Sequence, residues 1–137
     1  MNMEQSIDFL YSIEKTGPSA ERFSAVSHAF QILDDSGVRL SDVPDMEKEC
    51  LQSFTSLKSM HGHVCQKPHG YHGDYEIIDR IYQNYHSDEY YQWDEYFQNG
   101  SASHAVRGRK DYFLSTMQNT IEERSSTEIL NLSLIHI

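Results

Sequence analysis

Apolar positions recur along this chain at helical spacing, and they stop and restart where glycine, proline or short polar residues punctuate the sequence. Residues 3–15 carry Ile7, Leu10 and Tyr11, with Glu14 on the same spacing, which predicts a first helix. Gly17-Pro18 breaks it, and Pro18 suits the first turn of the next helix. That helix shows Phe23, Val26, Phe30 and Leu33, one apolar stripe that ends near Gly37. Residues 38–44 read as a connector closing on Pro44. A third helix is expected from Asp45 to Ser59, with Met46, Cys50, Phe54 and Leu57 facing inward.

The stretch 60–73 differs in kind. It holds Gly62, Pro68, Gly70 and Gly73 among His61, His63, His69 and His72, and it is expected to be irregular. Asp74 then offers a carboxylate to cap the free amides of a new helix. That helix is expected to carry Tyr75, Ile78, Ile81, Tyr82 and Tyr85 on one side. A short aromatic helix follows with Tyr90, Tyr91, Trp93, Tyr96 and Phe97, ended by Asn99-Gly100. The last helix starts near Ser101 or Ser103 and runs to about Glu123, with Ala105, Val106, Arg109, Tyr112, Phe113 and Met117 clustered. Beyond the polar residues 122–126 the pattern changes again. Six of the last nine residues are Ile or Leu, which reads as a buried strand. The expectation is therefore a mainly α chain: a helical N-terminal cap domain of five to six helices (1–126), then a first strand (127–131) that would open a missing Rossmann-like α/β domain. Leu132 to Ile137 match the translation of a sequencing-library transposon end and are set aside as a non-native tail.

Composition narrows the partners. The chain has 137 residues, 38% of them hydrophobic and 12% aromatic, which favours a folded domain over disorder. With 21 acidic against 11 basic residues the formal charge is −10, a field that repels phosphate backbones and acidic membrane surfaces. The expectation is no nucleic acid and no membrane as partners. Two cysteines, Cys50 and Cys65, make no disulfide framework and fit a reducing cytoplasm. The first residues lack the basic start and apolar run of a secretory signal. No stretch reaches the ~20 apolar residues of a membrane span.

Several clusters could carry chemistry. His61, His63, Cys65, His69, His72 and Asp74 are all of metal-binding type, but His-x-His-x-Cys followed by Pro and Gly is not a zinc-site spacing. The competing reading is a tight loop whose histidines hydrogen-bond to backbone. Cys65 beside a histidine invites a nucleophilic role, although a lone cysteine is more often packing. Asp74, Glu76 and Asp79 open a helix and suit its positive end without any catalytic function. The aromatic run 90–97 reads as core and domain-contact surface. Arg107 and Arg109 admit two readings: a salt bridge to Asp74, Asp79 or Asp94, or a guanidinium directed into a site to hold a carboxylate.

Residues 62–82, Gly-His-Val-Cys-Gln-Lys-Pro-His-Gly-Tyr-His-Gly-Asp-Tyr-Glu-Ile-Ile-Asp-Arg-Ile-Tyr, resemble the N-terminal helical region of bacterial class I S-adenosylmethionine-dependent methyltransferases. The resemblance includes proteins labelled as extracellular-factor (3-hydroxypalmitic acid methyl ester) biosynthesis proteins. Ala105-Val106-Arg107-Gly108-Arg109-Lys110-Asp111-Tyr112-Phe113 resembles the family's second motif, and Glu128 to Asn131 fall where its first strand begins. The resemblance covers roughly residues 45–131. It implies methyl transfer from S-adenosylmethionine to a small-molecule or fatty-acid-like acceptor by the complete protein, with the helices acting as a cap over the chain's own missing C-terminal catalytic domain. It implies that Lys67, Tyr71, Gly73, Asp74 and Tyr75 lie near cofactor or substrate, with Arg107 and Arg109 supporting them or holding an acidic group. After Asn131 the family has a glycine-rich turn, whereas this chain has Leu-Ser-Leu-Ile-His-Ile. The expectation is that this polypeptide alone is inactive, binds no S-adenosylmethionine, holds no metal and contributes no catalytic residue. The alternative is a free-standing helical module for metal binding or protein interaction.

Overall fold

The computed structural model describes residues 1–38, 52–124 and 126. Among the described residues the chain is helical: α1 (Met3–Ile13), a 3-10 turn (Ala20–Arg22), α2 (Phe23–Asp35), α3 (Gln52–Thr55), α4 (Met60–Gln66), α5 (Tyr75–Tyr82), α6 (Tyr91–Gln98) and α7 (Ser101–Glu123). No helix among them is long and apolar enough to cross a membrane. The expected connector 38–44 (apart from Val38), inward residues Met46 and Cys50, the strand 127–131 and the tail 132–137 lie outside the described residues.

α1 and α2 form as their stripes predict. Asn2 and Gln5 make a reciprocal capping box at the start of α1. Leu10 and Ile13 of α1 meet Val26, Ala29 and Leu33 of α2, and Trp93 of α6 closes the cluster. Pro18 is buried ahead of the 3-10 turn instead of opening α2. Gly17 sits at φ +71, where a Cβ would stand 2.5 Å from Gln92 Cβ, so the α1 end lies directly on the start of α6. The Trp93 indole Nε1 donates to Glu14 O at 2.9 Å, which satisfies the polar edge of an otherwise buried ring.

A second cluster joins Met60 of α4 to Ile77 and Ile81 of α5, with Val64, Ile78, Tyr85, Phe97 and Val106 packed around it. The inward face of α5 therefore runs through Ile77 and Ile81, four residues apart, and Ile78 and Tyr85 flank it. The expected Tyr75 and Tyr82 are instead 50% and 38% exposed. Tyrosine tolerates this because its hydroxyl prefers water; Lys110 of α7 lies 4.6 Å over the Tyr82 ring.

Three further expectations are corrected. Residues 60–66 are a helix and not loop, because Ser59 caps it at Gly62 N (2.9 Å) and its glycine lies inside the helix against Ser56. The helix expected to reach Ser59 ends at Thr55 in its described part, and Leu57, beyond that end, is 47% exposed. On α7, Ala105, Arg109, Tyr112 and Phe113 do not form a packed cluster: all four are exposed, Tyr112 by 75%. The N-terminal part of α7 rests on α5 and α6, through Ser103, Val106, Arg107 and Lys110.

Candidate functional site

The motif 62–82 builds one closed unit. α4 ends at Lys67, which adopts the left-handed conformation (φ 49) and donates its amide to His63 O at 3.1 Å. Gly70, at φ 92, donates back to Lys67 O at 2.8 Å, so the chain reverses tightly. His72 Nδ1 donates to Val64 O at 2.9 Å, tying the far side of the turn to α4. Asp74 then caps α5 by accepting from Ile77 N at 2.9 Å.

Asp74 does more than cap. His63 Nε2 stands 3.0 and 2.9 Å from its two carboxylate oxygens, and both side chains are almost wholly shut off from water. Burial pushes the Asp74 carboxyl up, but the Ile77 amide and the His63 ring outweigh it and hold the group below the ordinary aspartate range. Beside it, His69 Nε2 lies 3.1 Å from Glu76 Oε2, and Arg80 Nη2 donates to Glu76 Oε1 at 2.8 Å. His69 is the first cause, with Arg80 behind it, that holds Glu76 below its usual value. Of the four histidines expected to bond to backbone, only His72 does. His63 and His69 choose carboxylates.

These contacts show what the arrangement can do. His63 is 1% exposed, so neither a substrate nor a proton acceptor in solvent reaches it. The pair clamps the 67–74 turn between two helix ends. Cys65 lies exposed on α4, and desolvation pushes its thiol up, the opposite of an activated nucleophile. Among the described residues no group of three or more His, Cys, Asp or Glu side chains could hold a metal ion.

Of the residues that the resemblance singles out, Lys67 and Gly73 are exposed, Tyr71 is half-buried, Tyr75 is half exposed under the His69 ring (4.8 Å), and Asp74 is buried. Arg107 is elsewhere. Its Nη1 donates to Gln98 Oε1 at 2.8 Å and its Nη2 to Gln98 O at 2.6 Å. Gln98 Nε2 in turn reaches Arg80 O and Tyr85 O, at the C-terminal end of α5. Asp74 caps the other end of that helix, roughly 10 Å away at 1.5 Å per residue. Of the two readings of the arginines, the salt bridge to Asp74, Asp79 or Asp94 does not form through Arg107, whose guanidinium is held by Gln98, and Arg109 is exposed. The structure thus brings Lys67, Tyr71, Gly73, Asp74 and Tyr75 into one loop unit and leaves the two arginines outside it.

Two polar residues organise the interior: Gln98, which the sequence reading did not name, and Asp94, which it named only as an ion-pair candidate for the arginines. Asp94 accepts from Met60 N (2.7 Å), Ser87 N (2.8 Å) and Ser87 Oγ (2.6 Å), joining α4, the turn before α6 and α6 itself. Gln98 satisfies the end of α5 as described. A polar residue interrupting an aromatic helix is the available signal for both.

His61 is the other surprise. Its ring is enclosed by Phe54, Trp93, Tyr96 and Phe97, with the Phe54 and Phe97 centroids at 4.6 and 5.0 Å. Nδ1 is buried with no partner, and burial holds the group at about 3. The folded state therefore refuses a proton that the unfolded chain accepts below pH 6.5. Stability is present in full above about pH 6.5 and is lost as pH falls toward about 3. The loss is at most about 1.4 kcal/mol per pH unit. His61→Phe is expected to flatten this acid limb in urea titrations run between pH 7 and 4, whereas an unchanged slope would assign it to other groups.

Comparison with protein-family models, curated proteins and solved structures gives no match to this chain.

Proposed function

We propose that this chain is the N-terminal helical cap of a bacterial S-adenosylmethionine-dependent methyltransferase acting on a small-molecule or fatty-acid-like acceptor in the cytoplasm. The observation that carries the reading is the 62–82 string, in which Lys67, Gly70, His72 and Asp74 each have a backbone or capping role in one closed turn. A turn clamped at both ends is a suitable wall for a site whose chemistry depends on orientation and exclusion of water. A second feature agrees with a cap. Past its first turns α7 presents Phe113 (49% exposed), Leu114 (51%) and Ile121 (52%) at helical spacing, with Met117 between them. Such a stripe suits contact with a following α/β domain.

S-adenosylmethionine itself would need a strand running into a glycine-rich turn and helix. The described residues contain no strand, so they do not fit the cofactor, and no catalytic step is assigned to them. The polypeptide alone is accordingly proposed to be inactive. The exposed stripe also favours a second reading, a protein-interaction module with no small-molecule role. The nucleotide sequence of the source gene beyond codon 131 separates the two.

A further inference from the structure

α7 outruns the body that anchors it. It rests on α5 and α6 through residues up to Lys110, while every residue from Gly108 to Thr116 is exposed. From Asp111 to Glu123 the helix extends roughly 18 Å further, at 1.5 Å per residue. Its apolar residues there follow a heptad. Phe113 and Met117 occupy the two core positions in turn, on the same spacing as Val106, Lys110 and Thr120. Leu114 and Ile121, seven residues apart, line one edge of that seam. The half-exposed Phe113, Leu114 and Ile121 make it an apolar face in need of cover.

The charges on the other edge select what covers it. Arg109, Thr116 and Glu123 lie along that edge, again seven residues apart. Among the described residues the side chains of Arg109 and Glu123 have no hydrogen-bond or ion-pair partner. A parallel second copy of α7 would set arginine on arginine and glutamate on glutamate. An antiparallel copy sets Arg109 against the partner's Glu123, and Glu123 against the partner's Arg109, with the two Thr116 side chains meeting midway. The same reversal places Met117 against the partner's Phe113 and Leu114 beside its own counterpart. Core and both edges thus agree on one two-fold axis, between Leu114 and Thr116.

We propose that α7 pairs with α7 of a second copy of this chain, antiparallel about that axis, to form a homodimer. The formal charge of −10 opposes non-specific self-association, and Arg109 supplies the local cation that admits the acidic end of a second helix. The anchored first turns hold α7 as a helix already, so pairing need not nucleate it. The inference gives the interaction-module reading a partner and does not depend on the methyltransferase reading. A following domain would take the same stripe, so the self-contact belongs to the 137-residue chain, and the gene sequence tests the other reading separately.

Sedimentation equilibrium of the whole chain tests it. A monomer–dimer equilibrium with a Kd on the order of 10–100 μM is expected. Phe113→Ala combined with Met117→Ala is expected to weaken the dimer at least about tenfold, because alanine keeps the helix and removes the apolar contact. Arg109→Glu alone, and Glu123→Arg alone, each turn two attractive pairs into two repulsive ones. Each is expected to weaken the dimer at least about fivefold. Combining Arg109→Glu with Glu123→Arg restores opposite charges across the axis and is expected to return Kd to within about twofold of the unsubstituted chain. None of these four side chains packs in either core cluster, so the fold is expected to survive every substitution. A chain that stays monomeric up to about 1 mM overturns the proposal. So do assemblies larger than a dimer, association that ignores the single charge reversals, and a combined variant that pairs no better than the single ones.

Discussion

Gly62→Ala is expected to destabilise the fold by about 3 kcal/mol or more, at or above the usual ceiling for overpacking. The added Cβ would stand 2.0 Å from Ser56 O, 2.7 Å from Ser56 C and 2.8 Å from Ser56 N. These are backbone atoms, so no side-chain rotation relieves the overlap. Ser56 O is also held, accepting from Ser59 N at 3.2 Å and Ser59 Oγ at 3.0 Å. Moving it loosens the Ser59 cap, which is the bond that starts α4 at Gly62 N. The loss thus spreads from a clash to a helix start and to Met60 in the second core cluster. Urea denaturation followed by circular dichroism measures it. Gly108→Ala is the internal control: a Cβ there meets nothing within 4 Å, and a mid-helix alanine is expected to stabilise by about 0.5–1 kcal/mol. Equal and small effects of the two substitutions would contradict the close approach of α4 to Ser56.

Asp94→Ala is expected to cost about 3–5 kcal/mol in the same measurement. The carboxylate is fully buried and accepts three hydrogen bonds, two of them from main-chain amides. Hydrogen bonds to a charged group are each worth about 1.5–3 kcal/mol, and the truncation leaves Met60 N and Ser87 N unpaired in the interior. Asp94→Asn is expected to recover less than half of the loss. All three partners donate to Asp94, and an amide offers one acceptor oxygen while turning an N–H toward the other donors. The Ser87 hydroxyl can reverse its role, but the Ser87 amide cannot. A cost below about 1 kcal/mol for the alanine variant would show that Asp94 does not join α4 to α6.

These two residues mark where sequence pattern gives way to three-dimensional structure. The stripes of α1 and α2 were legible because each buries one face against a neighbour with ordinary helical spacing, and Leu10, Val26 and Leu33 are all core. Asp74 was legible as a cap because that role is local in sequence. Residues 60–66 were not, because glycine and histidine are weak helix formers and the helix there rests on tertiary support: Ser56 against Gly62, and Asp94 on Met60 N. The face of α5 was read correctly at Ile78, Ile81 and Tyr85 but misread at Tyr75 and Tyr82, because tyrosine counts as apolar in a pattern yet keeps its hydroxyl in water there. The site residues divide in the same way. The loop from Lys67 to Tyr75 is a contiguous unit and could be read as one. The partner of Arg107 is Gln98, nine residues back, and no spacing rule selects a glutamine over three available aspartates.

In the proposed reading, the unpacked stripe of α7 and the clamped 67–74 turn would face the catalytic domain of a complete methyltransferase. The nucleotide sequence of the source gene across and beyond codon 131 tests that reading most directly. The expected result is an open frame in which Glu128-Ile129-Leu130-Asn131 runs into a glycine-rich turn and further alternating strands and helices, in place of the last six residues. An uninterrupted source sequence that encodes Leu132 to Ile137 as given and then stops, or continues without a glycine-rich turn, would contradict it.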